Sequence, residues 1–201
     1  MFDARLRPLI DPPLGRAGAW LAARGVTADG LTVAGFAAGV AAAAAIAAGA
    51  FLVGLALIGL NRLADGLDGA VARTTGKTDR GGYLDVTLDF AFYGLVPLAF
   101  AAADPERNAL AAAALLTAFY VNGAAFLAFA VMAEKRGLKT SAQGDKSLFY
   151  LAGLAEGAET IAVFAAMCVF PAAFPALAGA FAALTGVSAV ARVVLGARAL
   201  R

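Results

Sequence analysis

The sequence predicts an all-α integral membrane protein of six transmembrane helices, preceded by an amphipathic juxtamembrane helix. Three observations carry that prediction. The 201-residue chain is 62% hydrophobic and only 15% charged, with a mean hydropathy of +0.80, more apolar than a water-soluble domain needs. Its apolar residues fall in runs of about 20, long enough to cross a bilayer core. Its basic residues gather between alternate runs, as they do on the cytoplasmic side of polytopic proteins.

Residues 2–24 mix Arg5, Arg7, Arg16 and Arg24 with Phe2, Leu6, Leu9, Ile10, Leu14, Trp20 and Leu21. That pattern reads as a helix lying on the membrane surface, broken near Pro12 and Pro13. Residues 1–30 are therefore expected to form an N-terminal surface segment, and residues 31–201 one membrane domain, since no polar linker divides them. The opening "MFDARLRPLIDPP" lacks the apolar core of a cleavable signal peptide. Within the membrane domain the expected spans are 31–49, 51–73, 82–103, 107–133, 147–170 and 174–197.

The charges orient these spans. Arg5, Arg7, Arg16 and Arg24 precede the first, and Arg73, Lys77 and Arg80 lie between the second and third. Lys135, Arg136, Lys139 and Lys146 lie between the fourth and fifth, and Arg198 and Arg201 follow the sixth. With six spans all of these fall on one side, and the other side has short turns and only Arg107. The positive-inside rule then places both termini and the 74–81 loop in the cytoplasm.

Composition also excludes chemistry. The chain has no histidine, which removes Ser-His-Asp triads, histidine zinc sites and phosphohistidine intermediates. Its single cysteine, Cys168, sits in an apolar run, so there is no disulfide framework. No nucleic-acid partner is expected. Reactivity must rest on carboxylates, Lys, Arg, hydroxyls and a hard metal.

One stretch supplies them. "NRLADGLDGAVARTTGKTDRGGYLDVTLDF", Asn61 to Phe90, carries Asp65, Asp68, Asp79, Asp85 and Asp89. Asp65 and Asp68 are three apart, and Asp85 and Asp89 four apart, so each pair shares a helix face. Counted inward from Arg73 and Gly81, Asp68 and Asp85 form an outer layer, and Asp65 and Asp89 an inner one about 12 Å deep. Unpaired carboxylates in a membrane cost ~2.5–3.5 kcal/mol each near a helix centre. An all-oxygen cluster suits Mg²⁺, Mn²⁺ or Ca²⁺ rather than zinc. Magnesium commonly shares its shell with substrate phosphates, which implies a nucleotide or phosphate ligand. Gly66, Gly69, Ala70, Ala72, Gly81 and Gly82 leave room for close approach. The competing structural reading pairs the acids with Arg62, Arg73 and Arg80.

The residues resemble a known family. Asp65-x-x-Asp68-Gly69-x-x-Ala72-Arg73, then seven residues, then Gly81-x-x-x-Asp85-x-x-x-Asp89, is similar to the complete signature of the CDP-alcohol phosphotransferases. "GVTADGLTVAGF", "LNRLADGLDGAVAR" and "KSLFYLAGLAEGAETI" resemble a bacterial inner-membrane branch of it. The resemblance implies transfer of a phosphatidyl or related group from a CDP-linked donor to an alcohol, with release of CMP. It implies two ions of Mg²⁺ or Mn²⁺ on Asp65, Asp68 and Asp85, with Asp89 as the general base and a further contact to the second ion. It aligns Gly69, Arg73, Thr78 and the segment Asp29-Gly30-Leu31-Thr32 with donor contacts. Ala28 stands where many members have proline. It also implies a homodimer in the bacterial inner membrane, acting on CDP-diacylglycerol, a polar alcohol and membrane lipid.

The acceptor is less marked. Glu156 and Glu159 share a face three residues apart in "GLAEGAET" and are candidates for the acceptor pocket, for pairing with Arg62 or Arg192, or for helix packing. Arg80, Lys139 and Lys146 are candidates for a phosphorylated acceptor, although Lys135, Arg136, Lys139 and Lys146 read as well as topology determinants that attract anionic lipid. Asn122 and Tyr150 are lesser candidates. Phe119, Tyr120, Phe126 and Phe129 read as packing or lipid-facing residues. Three alternatives stand beside the leading function: a divalent-cation transporter using the same carboxylates, an aminoalcohol phosphotransferase with diacylglycerol as acceptor, and a non-catalytic scaffold.

Overall fold

The computed structural model describes residues 3–137 and 157–201. All its regular elements there are helical: α1 (Asp3–Ala22), α2 (Ala28–Ala47), α3 (Phe51–Thr75), α4 (Asp79–Ala103), α5 (Pro105–Lys135), α6 (Gly157–Val169) and α7 (Phe174–Ala199), with a 3₁₀ turn at Pro171–Ala173. Each helix from α2 to α7 occupies one of the apolar runs. α2 starts at Ala28 rather than 31, because Thr27 caps it by accepting from the Gly30 N–H at 3.1 Å. Ala28 thus holds the first helical position, where proline is readily accommodated.

Among the described residues, four helices are long and apolar enough to cross a membrane: α2, α4, α5 and the Pro171–Ala199 segment containing α7. α3 has the length, at 25 residues, but Arg62, Asp65, Asp68 and Arg73 dilute its apolar run. α6 is described over 13 residues, too few to span, and the first part of the 147–170 run lies outside the described residues.

α1 departs from the expectation of a break. Its helix continues through Pro12 and Pro13. Each proline removes one backbone donor, and packing against α3 compensates. Gly18 lies so close that a Cβ there would sit 2.6 Å from the Ala70 Cβ, and Leu14 presses on Gly66. At its end Arg24 stacks over Trp20, 3.5 Å from the ring centroid.

α2 packs along both α3 and α4 and is their common partner. Its glycines allow this. A Cβ on Gly35 would come within 2.9 Å of the Ala64 Cβ, and one on Gly39 within 2.7 Å of Phe92. The chain reverses between α3 and α4 over three residues, where Gly76 adopts φ 102° and Thr78 caps α4 by accepting from the Gly81 N–H at 3.0 Å. At the far end Asp104 caps α5, and the Arg107 guanidinium donates to the Ala172 carbonyl, tying the α4–α5 turn to the start of α7.

An aromatic and aliphatic core packs α2 to α7 together. Phe92, Phe100, Phe164 and Phe174 are fully buried with Ile46, Ile58, Leu115 and Met167. Phe100 stacks on Phe174 at 4.5 Å and on Phe51 at 5.5 Å. Phe119 joins this core edge-on to Phe164 and Phe181. Tyr120 is exposed, Phe126 underlies Arg192, and Phe129 packs on Gly196.

Candidate active site

Three helices build the site. α3 contributes Asn61, Arg62, Asp65 and Asp68; α4 contributes Asp85, Leu88 and Asp89; α2 closes it with Thr32, Gly35 and Phe36. These ten residues line one concavity. The i, i+3 spacing of Asp65 and Asp68 and the i, i+4 spacing of Asp85 and Asp89 aim both pairs into it.

Asp65, Asp68 and Asp85 converge, each offering a carboxylate oxygen within 4.8 Å of the others. Asp68 is buried, Asp65 is partly so, and Asp85 is exposed. The Thr32 hydroxyl donates to Asp68 Oδ2 at 2.6 Å and lies 3.0 Å from the Ala28 carbonyl oxygen.

Asp89 stands beside the triad on a cation. Arg62 Nη2 donates to Asp89 Oδ1 at 2.7 Å, while Nη1 is 3.6 Å from Asp65 Oδ2. The guanidinium is held from behind as well. Its Nε donates to Asn61 Oδ1 at 2.8 Å, and Asn61 Nδ2 donates to the Gly35 carbonyl at 2.8 Å. The rings of Phe92 and Tyr93 lie 4.9 and 5.7 Å from its centre. The expected pairing of layers is therefore rearranged: Asp65 groups with Asp68 and Asp85, and Asp89 with Arg62. The pairing reading and the metal reading each describe part of the cluster.

Of the residues expected to contact the donor, Thr32 lines the concavity. Asp29, Gly30 and Leu31 form the first turn of α2, and Asp29 Oδ2 is 3.5 Å from Arg80 Nε. Arg73 lies over Gly69, with Nη1 3.4 Å from where a Cβ would be, and Thr78 serves as the cap of α4. Of the acceptor candidates, Arg80 is exposed on Asp29, and Glu159 sits in the first turn of α6. Neither lines the concavity. Glu156, Lys139 and Lys146 lie outside the described residues, as does Tyr150. Asn61, Gly35, Phe36 and Leu88 were not singled out as site residues from the sequence. The signal available for Asn61 was its place beside Arg62, two polar residues inside an apolar run.

Residues 25–196 match the family model described as CDP-alcohol phosphatidyltransferase. The chain belongs to that family. It is 48% identical over 196 residues to the Inner membrane protein YnjF of Escherichia coli (strain K12), a match covering 98% of this chain and 95% of the relative. No solved structure matches it. The family makes the chain a transferase of metal-dependent phosphatidyl-transfer chemistry. The residues fit such an ion. Adjacent oxygens on one octahedral Mg²⁺ are about 3.0 Å apart and opposite ones about 4.2 Å, given a ligand distance of ~2.1 Å, and the triad's spacing of at most 4.8 Å is near enough for side-chain rotation to close. The all-oxygen donor set suits Mg²⁺ or Mn²⁺.

Proposed function

We propose that the protein transfers a phosphatidyl group from CDP-diacylglycerol to the hydroxyl of a polar alcohol and releases CMP. One observation carries this reading: three carboxylates from two helices meet within 4.8 Å inside the family-matched segment. Asp65, Asp68 and Asp85 hold Mg²⁺ or Mn²⁺, with two ions carried over from the family resemblance. When bound, the metal neutralises the diphosphate and stabilises charge developing on the CMP leaving group. Thr32 orients Asp68. Gly69, Arg73, Thr78 and the first turn of α2 bind the donor head. Asp89 takes the proton of the acceptor hydroxyl, and Arg62 on its Oδ1 leaves Oδ2 for that task.

A diacyl donor suits the surroundings. Leu60 and Leu63 on α3 and Tyr83, Val86 and Phe90 on α4 are exposed apolar residues flanking the carboxylates in sequence, a surface that acyl chains can cover. The layout proposed is a homodimer with six spans per chain, α3 and the 147–170 run completing the count. Residues 1–30 form the surface segment, residues 31–201 the membrane domain, and the site faces the cytoplasm of the inner membrane. The test is detergent-purified protein given labelled CDP-diacylglycerol and a panel of alcohols, with lipid products read by mass spectrometry. A phosphatidyl-alcohol formed only with divalent cation is the expected result. Cation flux into proteoliposomes without any CMP release would favour the transporter instead.

A further inference from the structure

We infer that Arg62 binds an oxyanion on the acceptor, so that the alcohol this site takes carries a phosphate or a carboxylate. The inference deepens the transferase reading above and rests on it.

Arg62 is a cation among acids and lies outside the acid motif that begins at Asp65. It lines the concavity, with 19% of its side chain exposed. Its Nε donates to Asn61 Oδ1 at 2.8 Å, and its Nη2 to Asp89 Oδ1 at 2.7 Å. Its Nη1 is 3.6 Å from Asp65 Oδ2, too far for a hydrogen bond. Nη1 therefore keeps donors for another partner. The guanidinium is not placed by acids alone. Asn61 is itself held to the Gly35 carbonyl of α2, and the rings of Phe92 and Tyr93 back the cation. It keeps its place when its acidic neighbours are engaged elsewhere.

The family resemblance gives both of those neighbours to ions. Asp65 and Asp89 are the acids that Arg62 faces. Ion binding draws on their negative charge and leaves a part-buried guanidinium short of compensation, which is costly. An oxyanion offered to Nη1 restores the balance, and the planar fork suits the edge of a phosphate or a carboxylate.

The position of Arg62 gives that oxyanion to the acceptor rather than the donor. Along α3 the order is Arg62, Asp65, Asp68, Gly69, Arg73. Arg62 is thus about 16 Å of helix from Arg73, on the far side of Asp65 and Asp68. Gly69 and Arg73 take the CMP end of the donor in the reading above. Displacement at phosphorus sets the incoming and leaving oxygens roughly in line, so the acceptor enters from the end opposite CMP. Arg62 and Asp89 stand together at that end.

The test is calorimetric titration of inorganic phosphate into the full-length protein in detergent, with Mg²⁺ and CDP present to fill the donor's diphosphate position. Wild type is expected to bind phosphate with CDP in place. Arg62→Lys keeps the charge beside Asp89 and loses the fork. It should bind phosphate about tenfold more weakly, and CDP within about twofold of wild type. Arg62→Gln removes the charge and repeats the comparison where the lysine variant does not fold. Equal phosphate binding by wild type and variant overturns the inference. So does phosphate binding that vanishes once CDP is bound, or a loss of CDP affinity as large as that of phosphate, since each gives the guanidinium to the donor. Binding of CDP with Mg²⁺ by wild type checks the transferase reading by itself. Without it that reading fails and the inference falls with it; with it, phosphate binding that ignores Arg62 sinks the inference alone.

Discussion

The Thr32 hydroxyl donates to Asp68 Oδ2 at 2.6 Å, across 36 residues of sequence. That bond ties the first turn of α2 to the most buried of the three converging carboxylates. It fixes which oxygen of Asp68 remains for a ligand.

Thr32→Val keeps the shape and removes the donor. A hydrogen bond to a charged group contributes about 1.5–3 kcal/mol, so the Mg²⁺ concentration for half-maximal CMP release should rise roughly tenfold or more. Folding should change little, because Thr32 lies at a partly open rim. An unchanged Mg²⁺ requirement would show that Asp68 needs no such anchor.

Neutralising one triad member has opposite effects on stability and function. Without an ion, Asp65, Asp68 and Asp85 repel one another within 4.8 Å. Asp85→Asn should therefore raise the melting temperature of the metal-free protein. Mg²⁺ should raise that of wild type, by mass action on the folded state, and leave the variant unmoved. Melting curves with and without Mg²⁺ read both, and a variant that still responds fully to Mg²⁺ contradicts the triad.

Asp89→Asn keeps the Arg62 contact through its amide oxygen and removes the base. Turnover should fall by ~10²–10⁴-fold, while binding of the CDP donor is largely retained, measured by calorimetry in detergent. Near-normal CMP release would assign the proton to another group.

Glycine substitutions separate packing from propensity. At Gly39 an added Cβ meets Phe92 at 2.7 Å, and at Gly59 nothing lies within 4 Å. Gly39→Ala should destabilise by about 1–3 kcal/mol and lower activity by moving Asn61 and Arg62. Gly59→Ala should be neutral or stabilising by up to ~1 kcal/mol. Thermal unfolding in detergent distinguishes them.

The helices were legible because a bilayer-length apolar run has few other uses, and the two acid pairs because i, i+3 and i, i+4 spacing sets a face; the grouping of Asp65, Asp68 and Asp85 came from the family resemblance. What the sequence hid was interaction between helices. Arg62 and Asp89 are 27 residues apart, and Asn61 and Gly35 are 26 apart, so no local pattern records that they meet. The layer count treated α3 and α4 as a simple pair, whereas α2 packs against both and Arg62 stands among the acids. The continuous α1 was hidden for a similar reason. Prolines announce a break locally, and the contact of Gly18 with Ala70 that sustains the helix is a tertiary one.

The central claim is that Asp65, Asp68 and Asp85 hold a divalent ion that activates a CDP-linked lipid donor. The most direct measurement is CMP release from CDP-diacylglycerol by the purified protein, titrated with Mg²⁺, for wild type and Asp85→Asn side by side. The account predicts release that saturates with Mg²⁺ in wild type and is lost in the variant at every Mg²⁺ concentration. Release by wild type in excess chelator, or undiminished release by Asp85→Asn, would contradict it.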